Sequence, residues 1–515
     1  MNSFWLDSIE NKTNFNKLEK DISTDICIVG AGIFGLTCGY YLTKQGYNVV
    51  ILEREKDIAS KTTGHTTAKI TSQHNLIYKY LIDSLGVSMA KKYLYANQDA
   101  IENIAKIIEE EKIDCDFERQ DSYVYTNNLD ELEKIKLENE AVNSLGFKSE
   151  FVTSTPLPFD VLGAIKFPNQ AEFNPMKYAY GLADYITKNS GKIYTDSLVK
   201  NIQKENNNFI TSCKDYVVKS KYVILASHYP FIDRLGYYFL KMYQSMFRYN
   251  FYNTDESLSN NISDKDFDGM YINSEQPTFS YRFANFSGSA EKRLLLVGGA
   301  DHKTGSKIDL SNAYNILEDE VRKYYPDCKI LYKWNTEDCI TLDKIPYIGE
   351  FSHFMLNMYI GTGFNKWGMT SSNVAANIIV DKILGCKNEY EDVFKATRLH
   401  PIKNNEELGN MIKETANSLV INKFKVSEKD LDEIENDTGH VFEYNGEKVG
   451  IYKDKNGKIF AVKPICTHLG CLLSWNNLDK TWDCPCHGSR FDYMGHQLYN
   501  PAIMDLDVVD VEGHK

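Results

Sequence analysis

A chain of 515 residues has room for about three domain-sized units, since domains mostly run ~100–200 residues. Hydrophobic residues make up 43% and charged residues 25%, a globular balance that excludes wholesale disorder; the net charge of −13, with no basic stripe, argues against nucleic acid as a partner. The opening MNSFWLDSIENKTN has no cationic, apolar leader pattern, so a cytoplasmic protein with no transmembrane segment is expected, peripheral membrane contact staying open.

The first readable unit starts at Thr24. Thr24–Val29 is expected as a buried strand running into Gly30-Ala-Gly32-Ile-Phe-Gly35. A helix should follow from about Leu36 to Gln45, then a second strand from Tyr47 to Leu52, ended by Glu53, with Arg54 next to it a further candidate cofactor contact. Each part has a mechanical role in holding a dinucleotide. Gly30 permits the tight turn, Gly32 lets the backbone approach a pyrophosphate, and Gly35 lets the helix pack closely on the sheet. The helix N-terminus supplies N–H groups and partial positive charge, and Glu53 accepts from ribose hydroxyls. The same glycines break the apolar stretch Ile26–Leu42, which therefore reads as strand, turn and helix and not as a membrane span.

Residues 88–145 are expected to be mostly helical, with Ile101, Ile104 and Ile108 at helical spacing and a solvated face at Glu109–Lys112. Residues 230–330, rich in Tyr and Phe, read as sheet with connecting turns. Gly298-Gly299-Ala300 follows an apolar strand but lacks a third glycine, so only one dinucleotide fingerprint is present. Around these lie the Thr-rich segment Ser60–Thr71, Val199, the strand Val223–Ala226, Asp343–Gly349, and the glycine-rich Gly361-Thr-Gly363-Phe-Asn-Lys-Trp-Gly368. Together, over about residues 20–390, they resemble FAD-dependent oxidases of the D-amino-acid and glycine oxidase type. That resemblance implies FAD contacts from Thr62, Thr63, His65, Thr66, Val199, Ala226, Gly361, Gly363, Phe364, Lys366 and Trp367. It also implies FAD segments at about 20–87, 160–228 and 335–390, with a substrate domain from about 88–159 and 229–334.

After a connector at 391–424, glycines recur at turn positions (Gly446, Gly450, Gly457) between short strands. Then come Cys466-Thr-His468-Leu-Gly-Cys471 and Cys484-Pro-Cys486-His487-Gly-Ser489. Each loop gives one Cys and one His in close spacing, whereas structural zinc sites more often pair Cys with Cys and His with His. Two thiolates and two imidazoles match the ligand set of a Rieske [2Fe-2S] centre, a one-electron carrier. The flanking CTHLGC and CPCHGS closely resemble Rieske proteins of quinol-oxidising complexes, over about residues 425–515. That resemblance implies Cys466 and Cys484 on one iron, His468 and His487 on the other, a Cys471–Cys486 disulfide, and a hydrogen bond from Ser489 to a cluster sulfur. High-potential members carry a tyrosine two residues after that serine; Phe491 stands there, so a lower potential is expected. The seven other cysteines are scattered singly and read as reduced core thiols.

The expected fold class is α/β, a Rossmann-type FAD domain with an interleaved α+β substrate domain across 1–390, plus a C-terminal all-β Rieske domain. A flavin takes two electrons and releases them singly, which nicotinamide does not do readily, so one fingerprint beside a Rieske centre favours FAD. The expected function is oxidation of a small amine, amino acid or hydroxy acid, with electrons leaving through the cluster to an external acceptor. A nicotinamide-fed reductase and a non-catalytic redox sensor are the alternatives. Lys366 is a candidate for stabilising reduced flavin, and Arg282, with Arg234 and Arg248 as rivals, for clamping a substrate carboxylate. His65 is a candidate flavin contact or attachment point, and His302 is read as a turn residue or a lining of the substrate cavity.

Overall fold

The structure, a computed structural model, describes residues 3–10, 12–232, 236–253, 267–286, 289–306, 310, 312–398, 434–444 and 446–511. Arg234 and residues 399–424 of the expected connector lie outside the described residues.

The strand expected from Thr24 runs from Ile22 to Val29, and its last four residues are buried. It lies at the heart of an eight-stranded sheet, between the parallel strands Val49–Leu52 and Val217–Leu225. Lys192–Tyr194 extends one side, while Met358–Thr362 and then antiparallel Tyr347–Glu350 extend the other. Parallel strands covered on both faces must be apolar throughout, which is why Cys27–Val29 and Val49–Leu52 read as unbroken apolar runs. The helix Ile33–Lys44 starts at the glycine turn and packs against the helices Pro175–Lys188 and Gly368–Leu384.

A second, nine-stranded sheet is built mainly from Glu118–Thr126, Gly163–Glu172, Met242–Asn253, Phe279–Phe286, Ser289–Lys303 and Lys329–Thr341. The interleaving is finer than the sequence segments suggest. Gly163–Glu172 and most of Lys329–Thr341, expected in FAD segments, belong to this second sheet, as does Lys69–Ile70. Residues 88–145 hold the helices Val87–Glu111 and Leu129–Ser144, with the strand Glu118–Thr126 between them. Gly298 and Gly299 pair in mid-strand with Ser280 and Phe279, so they make no nucleotide-binding turn.

The C-terminal part holds a three-stranded antiparallel sheet (Thr438–Tyr444, Glu447–Lys453, Ile459–Val462) and a four-stranded one (Ser474–Asn476, Thr481–Asp483, Arg490–Asp492, Gln497–Tyr499). Arg398, at the described edge of the connector, docks back on the first part: its guanidinium donates to both carboxylate oxygens of Asp343, each at 2.8 Å. Among the described residues no helix is long and apolar enough to cross a membrane. Of the single cysteines, Cys27, Cys38, Cys115, Cys328 and Cys339 are buried as expected; Cys213 is half-buried, and Cys386 departs from the expectation by lying exposed.

Candidate functional site

A deep cleft opens where the glycine turn, the Thr-rich segment and the glycine-rich closing segment meet. Its wall includes Gly30, Gly32, Glu53 and Arg54 from the first unit, and Thr62, Thr63 and Thr66 from the Thr-rich segment. Val199, Ala226, Gly361, Phe364 and Lys366 complete the part foreseen in the sequence. Gly35 stands behind the wall, where a Cβ would lie 2.0 Å from the carbonyl oxygen of Gly30, so only glycine lets helix and turn meet there. The Thr63 hydroxyl accepts from the N–H of Ile33 at 3.1 Å and ties the Thr-rich segment to the helix start. Glu53 accepts from the N–H groups of Ala31 at 2.7 Å and Glu55 at 2.9 Å. Burial pushes its carboxyl above the ordinary value, and those two N–H donors oppose the push.

Several expected contacts fall elsewhere. The His65 ring turns to the carbonyl of Lys61, with Nδ1 at 2.8 Å, and stays out of the cleft wall; burial lowers its pKa to about 4. Its role as flavin contact or attachment point is therefore corrected. Trp367 stacks on His74 at 5.0 Å, and Gly363 makes a left-handed turn (φ 69°) against Thr341, so both shape the segment from behind. Arg282 is no substrate clamp. It is buried, donates to the carbonyls of Thr67 and Ala68 at 3.0 Å, and lies 3.3 Å from Glu172. Arg248 is fully buried, with Nη1 3.0 Å from Nδ1 of His302. His302 thus sits in the strand Ser289–Lys303, paired with an arginine, and not in a turn or in the cleft wall. Lys366 does line the cleft, but its ammonium is held by Asp301 at 2.8 Å.

The sequence reading missed Lys61, Ser227, His228 and Asp338, all in the wall. Burial raises the Asp338 carboxyl to about 6, and the charge of Lys366 opposes that rise. His228 takes a left-handed backbone (φ 64°), and burial lowers its pKa to about 4. Lys61 lies within the Thr-rich segment and Ser227 and His228 directly follow the strand ending at Ala226, so the segments were legible and only the individual side chains were not; Asp338 belongs to no motif and is brought to the cleft by chain folding.

The second centre lies where the loops 466–471 and 484–489 face each other. Backbone bonds close both loops: Cys466 N–H donates to Cys471 O at 2.8 Å, and Cys484 N–H to Ser489 O at 2.8 Å. Cys471 and Cys486 are joined as a disulfide across them. The thiols of Cys466 and Cys484 share a hydrogen bond, which pushes Cys466 down to about 6 and Cys484 up. The His468 and His487 rings meet edge to face at 5.2 Å. Nδ1 of His487 is buried without a hydrogen-bond partner, a cost that ligation removes. Cys471 and Cys486 also lie within 4.8 Å of Cys484, but as a disulfide they have no thiolate to give. Two adjoining thiols and two adjoining imidazoles, one with an orphaned nitrogen, fit a [2Fe-2S] cluster held by Cys466, Cys484, His468 and His487. The Ser489 side chain bonds to Cys466, while its oxygen accepts from the N–H of Ala502 at 3.0 Å.

Phe491 is fully buried in the apolar cluster around Trp482 and the ligand cysteines. Phe491→Tyr is expected to raise the midpoint potential by about 20–60 mV. One net hydrogen bond contributes roughly 0.5–1.5 kcal/mol, and 59 mV corresponds to about 1.4 kcal/mol for one electron. Potentiometric titration followed by EPR measures it, and an unmoved potential would mean that residue 491 does not tune the centre.

The two centres share a seam. Tyr499, Asn500 and Ile503, from the end that carries the cysteine loops, form part of the cleft wall. Gln244 Nε2 donates to the carbonyl of His487 at 3.0 Å and to that of Asn500 at 2.7 Å. Phe239 meets the His487 ring edge to face at 5.8 Å.

A flavin-type dinucleotide cleft with a two-Cys, two-His centre packed on its rim defines a redox protein with two cofactors. Comparison with known proteins specifies it further. The family model for FAD dependent oxidoreductases (DAO) matches residues 25–382, and the model for the Rieske [2Fe-2S] domain matches 424–510. The chain is 35% identical to the putative Rieske 2Fe-2S iron-sulfur protein YhfW of Bacillus subtilis over 99% of its own length and 98% of that protein's. It is 24% identical to gamma-glutamylputrescine oxidoreductase of Escherichia coli, covering 76% of this chain and 90% of that one. Among solved structures, glycine oxidase from Geobacillus kaustophilus superposes with a TM-score of 0.59 at 15% identity, covering 74% of this chain and all of that one. The chain belongs to the DAO family of FAD-dependent oxidoreductases and carries a C-terminal Rieske domain. Its cofactors are FAD and a [2Fe-2S] cluster.

Proposed function

We propose that the chain oxidises a small amine, amino acid or hydroxy acid at FAD and passes the electrons singly, through its own Rieske centre, to an external acceptor. FAD supplies two-electron oxidation of a C–N or C–O bond, and the cluster supplies a one-electron outlet. The observation that carries the reading is the shared seam: the chain segment that follows the second cluster loop forms part of the cofactor cleft, and Gln244 bonds to His487 and Asn500 at once. The names of two relatives, glycine oxidase and gamma-glutamylputrescine oxidoreductase, favour an amine or amino acid over a hydroxy acid.

The chain's own groups prepare the cleft for such a reaction. Lys366, fixed by Asp301, puts positive charge on the wall, beside the buried carboxyl of Asp338. Lys366 is the candidate for stabilising the reduced cofactor, while Arg282 and Arg248, committed inside the protein, are not free to clamp a substrate carboxylate. The only glycine pair that hinted at a second nucleotide site is sheet, which weakens the nicotinamide-fed alternative. A soluble, cytoplasmic setting fits the composition.

Anaerobic mixing with panels of amines, amino acids and hydroxy acids, followed in the flavin and cluster bands, tests the reading. At least one amine or amino acid is expected to bleach the flavin, with cluster reduction following within turnover. Bleaching by NADH or NADPH instead would make the protein a reductase. A reduced flavin beside a cluster that stays oxidised would remove the internal relay.

A further inference from the structure

The rim of the FAD cleft is closed by residues from the other end of the chain. Asn500 uses both ends of its side-chain amide and its backbone oxygen on this closure. Its amide Nδ2 donates to the carbonyls of Ser227 at 3.3 Å and Tyr229 at 3.2 Å, which bracket His228 in the cleft wall. Its Oδ1 accepts from Arg54 Nη1 at 3.1 Å, and its backbone oxygen accepts from Gln244 at 2.7 Å. Arg54, expected at the cofactor and present in the cleft wall, turns its guanidinium to this segment. Nη1 also donates to Gln497 at 3.0 Å, Nη2 donates to the carbonyl of Leu498 at 2.5 Å, and Nε pairs with Glu55 at 2.9 Å. Next to Asn500, the Tyr499 ring lies 5.2 Å beneath the ammonium of Lys61, another wall residue. Ile503 adds an apolar face.

We propose that the Gln497–Ile503 segment of the Rieske domain is part of the FAD-binding site, with Asn500 as the positioning residue that locks it over the cleft. Three residues of the segment are wall, so cofactor exchange requires the Rieske domain to lift. Lifting breaks the bonds of Asn500 and strips Arg54 of the partners its guanidinium has there. By linkage, bound FAD in turn holds the Rieske domain docked. One polypeptide end therefore serves as electron outlet and as cofactor retainer. The second role stands or falls without the first.

The test is FAD release from the full-length holoprotein, followed by recovery of free-flavin fluorescence after dilution. Asn500→Ala and Ile503→Ala are both made, and visible circular dichroism reports on the cluster. Asn500→Ala is expected to release FAD about 10–100-fold faster, since it removes three part-buried hydrogen bonds that hold the segment, with the cluster spectrum unchanged. Ile503→Ala should act in the same direction and less. Release at the wild-type rate from Asn500→Ala with an intact cluster overturns the proposal. If that variant loses its cluster, wild-type protein decides by amide hydrogen exchange with and without FAD. Protection of 497–503 by FAD supports the proposal, and unchanged exchange there overturns it. A flavin that is retained but fails to reduce the cluster would sink the relay and leave this inference standing.

Discussion

Gly30→Val is expected to yield protein with less than about a tenth of the wild-type flavin content, while the Rieske spectrum persists. Gly30 has φ 110°, a region L side chains rarely enter, and a Cβ there would lie 2.4 Å from the carbonyl oxygen of Ala226. That oxygen is main chain just past the strand Val217–Leu225, on a residue anchored by its own N–H, which donates to Val29 O at 2.8 Å, so it has little room to swing aside. The turn must open, and with it the line from Gly30 to the helix start at Ile33 that brings backbone to the pyrophosphate. A tenfold loss needs only about 1.4 kcal/mol, and left-handed strain alone is of order 1–2 kcal/mol before the clash is added. Gly46→Ala is the matched control. Gly46 also has positive φ (83°), but nothing lies within 4 Å of its added Cβ. It should lose about 1 kcal/mol of stability and keep its flavin. Absorbance ratios of the purified proteins decide the matter, and equal flavin in both variants would mean the fingerprint does not carry the cofactor.

What made Gly30 readable in the sequence is that its constraint is local. Strand, turn, helix and acid follow each other within one βαβ unit, and the cluster loops likewise place Cys and His two or three residues apart. Local geometry survives any tertiary context. Apart from His65, turned to Lys61 four residues before it, the misjudged side chains are those whose partners lie far away in sequence. Arg282 looked like a clamp until the chain placed it against the Thr67 and Ala68 carbonyls; Arg54 does reach the cleft wall as expected, but its guanidinium is tied to Leu498 and Asn500, which no local pattern announces. The same holds at the N-terminus, which offered no motif. Phe4–Asp7 forms a short helix, Trp5 donates its indole N–H to Thr66 O at 2.7 Å, and Ser3 bonds to the carbonyl of Gly64. The residues before the first strand thus brace the Thr-rich segment from outside. Long-range arginines and loop braces have no periodicity to betray them, so composition and spacing pass them over.

The largest stability effect is expected from Arg490→Met. Arg490 is buried, and its guanidinium donates to Asp483 at 2.9 Å, to Asp479 at 3.0 Å and to the Thr481 hydroxyl at 3.0 Å. The Glu337 carboxylate, on the Lys329–Thr341 strand of the flavin-binding part, lies 3.7 Å away. From that same side Asn335 donates to Asp479 at 2.9 Å, and Arg248 lies 3.5 Å from it. The knot therefore joins the Rieske domain to the rest of the chain, and Arg490 is the cation within reach of all three carboxylates. Methionine fills similar space but leaves those carboxylates short of charge. Breaking a buried pair from one side costs about 3–5 kcal/mol. The cost should depend on pH in a definite direction. Burial raises Glu337 from 4.5 to about 8, so between those values the folded state binds more protons than the unfolded one. Wild-type stability then falls as pH rises through that window, and Glu337→Gln should flatten the slope. Removing Arg490 takes away the attraction that opposes the rise, so the variant's deficit should be greatest near pH 8 and shrink toward pH 5 as the carboxylates take up protons. Denaturant unfolding followed by near-ultraviolet and visible circular dichroism across that range measures both effects. A deficit under about 1 kcal/mol at pH 8, or one that grows as pH falls, would show that the knot does not hold the two parts together.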